Sequence, residues 1–288
     1  MKSITLCADD YGQNTAISQA IIALLKEKKL SATSCMTTTP QWLAQAAWLM
    51  PVKDQVDIGV HFNLTHGQPL SSLLIAAQGA SFPSLLTLLR KSYLRQLDKT
   101  AILAELHAQL DQFIAGVGRM PDFIDGHQHV HQFPVIRDLF LTLYNERLRQ
   151  HACYIRCVND PIAWLRINED AYIKRSVIQL CGANAFKQQL VRSKIPHNRS
   201  FSGIYDFAHA IDYPKLFPRF LQQSLDGGLI MCHPGLTTSS QKEDEIEESR
   251  AKEYHYFQSE PFLAACQQNK IVIARFSKET IPSKKNIC

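Results

Sequence analysis

The chain has 288 residues, 45% of them hydrophobic and 20% charged. That is enough to bury a sizeable core and fits a single barrel-type domain over residues 1–288. Its formal net charge of +5 comes from Lys and Arg spread along the chain. Without zinc-finger spacing, an arginine-rich arm or an RNA-binding aromatic signature, nucleic acid is excluded as an expected partner.

The first β-type run is "SITLCA" (residues 3–8), followed directly by Asp9 and Asp10. A helix is predicted over 14–28, where Ile17, Ile21, Leu24 and Leu25 fall at helical spacing. "ATSCMTT" (32–38) is the next strand and 41–49 a Trp- and Ala-rich helix. "VDIGVHFNL" (56–64) is the third strand. Helix 100–113, strand "DFIDGH" (122–127) and helix 135–149 come next. "CYIRCV" (153–158), "GLIMCH" (228–233) and "IVIARF" (271–276) complete the strand series. Repeated βα units imply a parallel sheet, and seven or eight of them suggest an α/β, TIM-like (β/α) barrel. An open doubly wound sheet is the competing architecture, but no GxGxxG follows the first strand. Residues 66–98 and 163–205 exceed a minimal barrel and read as insertions that shape a pocket. The tail 278–288 reads as frayed.

No apolar run approaches the length of a membrane span, and no leader segment is visible. The eight cysteines form no CxxC pair and lie mostly in apolar stretches. They read as buried thiols of a protein in the reducing cytoplasm.

Chemistry in a parallel barrel collects where strands finish. Those ends carry Asp9 and Asp10, His61, then Asp125, His127, His129 and His131 in "DGHQHVH", Arg156, and His233 in "MCHPG". A core needs none of these groups there. Alternate residues of an extended chain share a face but lie about 6–7 Å apart. One ion would therefore take one or two of the "DGHQHVH" histidines, leaving others, His131 among them, to hold substrate or orient a ligand. A histidine-rich turn without metal is the bland alternative. Asp10 with histidines would form a mixed carboxylate–imidazole site of the kind that holds Zn²⁺ and other divalent ions. Asp9 would point elsewhere. Capping of the next helix does not explain the pair, because Asn14 or Thr15 can cap it. Arg156 would orient Asp9, hold a sugar, or make a surface salt bridge.

"ADDYGQNTAI", "GVHFNLTHGQPL", "DGHQHVH" and "MCHPG" occur in the order found in the YdjC-like carbohydrate deacetylases, which the chain resembles from Ile4 to about Phe276. The resemblance implies a TIM-like barrel and a hydrolase using one divalent metal ion, Mg²⁺ or Zn²⁺. Its expected reaction is removal of N-acetyl groups from an amino sugar or chitooligosaccharide by a metal-activated water. It places the metal on Asp10, His61 and His127, the general base on Asp9 and the general acid on His233. Gly126 and Gln128 stand where the family more often has Ser and a further His; both are expected on the face opposite His127. The expected partner is an acetylated amino sugar, with room for a homodimer. A metal-containing sugar-binding protein without turnover and a barrel metallophosphatase or nuclease are the alternatives.

Overall fold

A computed structural model describes residues 1–159, 179–207, 211–237 and 244–277. The strands are β1 (Lys2–Tyr11), β2 (Ala32–Cys35), β3 (Asp57–Phe62), β4 (Phe123–Gly126), β5 (Tyr154–Ile155), β6 (Phe201–Ser202), β7 (Gly228–Cys232) and β8 (Ile271–Ile273). All pairings are parallel, in the order β5-β4-β3-β2-β1-β7-β6, with β8 beside the first residues of β1. An isolated parallel bridge, Ile155 to His197, joins β5 to the segment leading into β6. The sheet thus curls into a (β/α) barrel, as expected, and the open doubly wound alternative falls away. Unlike a regular eightfold barrel, β7 lies directly against β1.

Parallel strands with both faces covered read as nearly continuous apolar runs. Alternation along β1 divides the core in two. Leu6 and Ala8 join the large cluster shared with the helices. Cys7 joins a second cluster drawn mainly from strand residues, with Ala32, Phe123, Tyr154, Leu229 and Met231. The second cluster fills the barrel, so the side chain two residues beyond Cys7, that of Asp9, also lies inside.

The connecting helices begin at predictable caps. Asn14 accepts from the Ile17 amide at the start of α1 (Thr15–Lys26), the capping role assigned above to Asn14 or Thr15. After the short α2 (Trp42–Ala46), the insertion at 66–98 folds as α3 (Ser72–Gln78) and α4 (Leu85–Tyr93), capped by Ser71 and Ser84. The next helix, α5 (Lys99–Val117), ties it down: buried Glu105 accepts from the Leu70 and Ser71 amides at 3.1 and 2.7 Å. In the second insertion a helix runs over Asn184–Arg192. Residues 163–178 of that insertion, and the tail 278–288 expected to fray, lie outside the described residues. Strand β6 was not foreseen, because "RSFSG" carries no apolar run.

The barrel floor is closed by charge. Asp57, the fully buried first residue of β3, accepts from Arg275 Nε at 2.8 Å and from the Ser277 amide at 3.1 Å. This fastens the chain after β8 across the lower rim.

Candidate active site

The opposite rim is built around the end of β1. Pairing with β2 shifts register between Ala8 and Tyr11, and Asp10 takes a left-handed backbone, φ 67°. The two adjacent acids are thereby thrown apart, although both are almost completely buried.

Asp10 faces two imidazoles. Its Oδ1 lies 3.4 Å from His61 Nε2 and 3.2 Å from His127 Nδ1, and makes no hydrogen bond. Its Oδ2 accepts from Arg250 Nη2 at 2.8 Å. Burial alone would raise this carboxyl, but the Arg250 charge and the two histidines hold it well below the usual carboxylate range. The donor atoms of Asp10, His61 and His127 lie within 4.8 Å of one another.

His61 is oriented from behind. Register between β3 and β4 sets it opposite Asp125, whose Oδ1 lies 2.6 Å from His61 Nδ1 and also accepts from Ser34 Oγ at 2.6 Å. This fixes the ring with Nε2 directed at Asp10, the carboxylate–imidazole arrangement that supports metal-binding histidines. Burial would lower His61, but Asp125 and Asp9 prevail and push it up to about 10. A cation bound at Nε2 would therefore displace a proton.

Asp9 belongs to a different network inside the barrel. Arg156 grips it with both arms, Nη1 to Oδ2 and Nη2 to Oδ1, each 2.6 Å. The same Nη2 lies 2.8 Å from Asp125 Oδ2 and donates to Cys7 Sγ at 3.1 Å. Asp9, His61 and Asp125 form a second group of metal-type donors, but the guanidinium already supplies positive charge there.

Two expectations need correction. For Arg156 the expected roles were orienting Asp9, holding the sugar or making a surface salt bridge. It is completely buried, and its contact with Asp9 leaves the orienting role. His131 was also expected at substrate, yet its ring is fully buried between Phe140 and Phe186, with Nε2 3.2 Å from the Arg156 carbonyl. The cause is local. The chain stops being extended at His127, and Gln128 and His129 both have positive φ, so "DGHQHVH" does not present one face. His127 turns to Asp10, His129 packs edge-on against Phe201, and His131 folds back under Gly126. A β-carbon at Gly126 would lie 3.0 Å from the His131 backbone nitrogen, so the absent side chain leaves room for that turn.

His233 leaves β7 one residue beyond the Ala8–Cys232 pair, which aligns it with Asp9 on the next strand. Its ring meets Phe207 edge-on at 5.3 Å, and its backbone amide donates to the Glu253 carboxylate. The helix Glu247–Gln258 thus supplies two site residues, Arg250 and Glu253, that sequence reading missed. In "EDEIEESRAKEY" they look like part of a solvated charged face, and no motif separates them from their neighbours. Asp125 was visible as a strand-end acid, but its partnership with His61 and Arg156 depends on strand order.

The described residues contain no helix long and apolar enough to cross a membrane. A chitooligosaccharide deacetylase of Yersinia enterocolitica is 30% identical over 148 residues, 51% of this chain and 57% of that protein. A carbohydrate deacetylase of Danio rerio is 27% identical over 147 residues, 50% of this chain and 46% of that one. The chain thus spans about half the length of the curated relatives it matches. A crystal structure of an Enterococcus faecalis protein, described provisionally as acting in cellobiose-phosphate cleavage, superposes with a TM-score of 0.74 at 19% identity, covering 96% of this chain and 98% of that one. That likeness shows the fold. The YdjC-like protein family matches residues 3–268, from the strand bearing the paired acids to the helix before β8; on that extent, the chain belongs to the YdjC-like protein family.

Proposed function

We propose that this protein is a metal-dependent carbohydrate N-deacetylase acting on an acetylated amino sugar of the chitooligosaccharide type. The observation that carries the reading is the buried Asp10 Oδ1. It has no hydrogen bond and faces two imidazole nitrogens at 3.2–3.4 Å, while Arg250 occupies the other oxygen. One carboxylate and two imidazoles fit a divalent ion such as Zn²⁺ or Mg²⁺, with positions left open for water and substrate. Asp10, His61 and His127 would hold it, and when bound it would lower the pKa of water and polarise the acetyl carbonyl.

The chain's own groups supply the proton transfers. Asp9, held by the Arg156 fork, accepts the proton of the attacking water. Both its oxygens already accept charge-assisted bonds, which fixes the carboxylate plane and leaves its remaining lone pairs for that proton. His233, aligned on the neighbouring strand end, protonates the departing amine, because a neutral amide nitrogen is a poor leaving group. The names of the Yersinia and zebrafish relatives support the substrate class. The described cysteines, all without disulfides, suit the cytoplasmic compartment we assign.

Acetate release from a panel of N-acetylated amino sugars, measured with protein loaded with Zn²⁺ or Mg²⁺ and with stripped protein, tests the reading. Turnover restored by metal is the expected result. Metal binding without acetate release from any amide would instead favour a sugar-binding protein.

A further inference from the structure

Glu253 is a fully buried carboxylate for which the reaction above has no use. Its Oε1 accepts the Tyr205 hydroxyl at 2.6 Å, its Oε2 accepts the His233 backbone amide, and the Tyr213 hydroxyl bonds to it as well. These donors come from three places: the end of β7, the segment after β6, and the helix Tyr213–Gln223. Arg250, one turn earlier on the same helix, contributes positive charge, and the Cys232 thiol faces the carboxylate from β7. Arg250 is itself engaged by Asp10 and Asp244 at 2.8 and 2.6 Å. Burial pushes the Glu253 carboxyl up to about 7.

Removing a carboxylate from water is costly unless its partners compensate, so its placement calls for a reason. Strand packing does not supply one, since β7 is already paired on both sides with β1 and β6. Among the described residues, the main-chain group it grips belongs to the residue whose side chain leaves the barrel at the catalytic rim. The Phe207 ring beside His233 sits two residues beyond Tyr205, so the same carboxylate also anchors the segment that walls the imidazole.

We propose that Glu253 is a positioning residue for His233. It fixes the strand end that carries the imidazole, and in its ionised form, bonded to the backbone amide of the same residue, it favours the imidazole's protonated, proton-donating form. The proposal rests on His233 being the acid of the deacetylase reading. A carboxylate within about 4–6 Å raises a histidine by about 1–3 pKa units, so a neutral isostere should release that shift.

NMR titration of the His233 imidazole, identified from the signal lost in His233→Ala, provides a test independent of catalysis. In Glu253→Gln the titration midpoint should fall by about one pH unit, while metal content stays at the wild-type level. Hydrolysis of an acetylated amino sugar should fall about tenfold or more, with an activated aryl acetate affected about twofold at most, because only the amide needs leaving-group protonation. An unchanged midpoint, or equal losses on both substrates, overturns the proposal. If Glu253→Gln does not fold, Tyr205→Phe removes one anchor of the same carboxylate; selective loss of amide hydrolysis supports the proposal, and retained amide hydrolysis overturns it. Wild-type protein inactive on every amide overturns the deacetylase reading, and the NMR midpoint alone then decides the role of Glu253.

Discussion

Asp9 and Asp10 are neighbours in sequence but belong to separate networks. Asp10 has one oxygen on Arg250 and one facing His61 and His127, whereas Asp9 is enclosed by Arg156. Asp9→Asn should therefore keep metal and lose turnover by about 10²–10⁴-fold, the usual general-base contribution. Asp10→Asn should lose the metal as well. Elemental analysis beside acetate release distinguishes the two, and identical behaviour would show the pair acting as one ligand. His131 carries a different consequence. Burial pushes it down to about 4, against about 6.5 in an unfolded chain, and His129 shifts in the same direction. The unfolded chain takes up these protons first. The stability His131 contributes is thus complete above about pH 6.5 and is lost as pH falls through about 4, at up to about 1.4 kcal/mol per pH unit. Urea denaturation between pH 6.5 and 4.5 should show this slope, and His131→Gln should flatten it in part, leaving the share of His129.

At the scale of elements, the turn from β1 into α1 decides whether the site forms. Gly12 has φ +92°, and a β-carbon there would lie 2.6 Å from the Met36 carbonyl oxygen. The Gly12 amide donates to Ser18 Oγ at 2.9 Å, tying the turn to the helix. Asn14, two residues later, only caps α1. Substitutions at these positions should have different effects. Asn14→Ala should cost about 1 kcal/mol of stability and leave metal affinity intact. Gly12→Ala should cost about 1–3 kcal/mol in backbone strain and weaken metal binding, because the displaced turn carries Asp10. Titration calorimetry with Zn²⁺ alongside thermal unfolding separates them. Equal metal affinity in both variants would show that the turn does not hold the ligand.

Across the barrel, buried ion pairs gather at its two rims. The upper rim carries the chemistry, and the floor holds Asp57, Arg275 and Ser277, with Arg275 also 3.5 Å from Asp122. Arg275→Ala leaves the buried Asp57 carboxylate without its cation, a change that typically costs about 3–5 kcal/mol. The expected outcome is a protein that unfolds at markedly lower denaturant concentration yet binds metal and turns over normally at low temperature. Loss of activity in the folded variant would show that the rims are coupled.

Sequence alone determined the alternating βα pattern, the strand-end position of the polar groups and the family they resemble. Apolar periodicity and strand-terminal charge are local properties, readable one segment at a time. Asn14 as a cap was legible for the same reason. Tertiary structure alone decided which strand-end groups meet. Strand order sets His61 against Asp125, a backbone twist at Asp10 parts it from Asp9, and the turn after Gly126 sends His131 inward, away from substrate. Arg250 was illegible because it lies 240 residues along the chain from Asp10, and Glu253, only 20 residues beyond His233, because its helix carries charges that resemble a solvated face. Only closure of the barrel brings that helix against β1 and β7, where burial converts ordinary surface charges into the groups that hold Asp10 and His233.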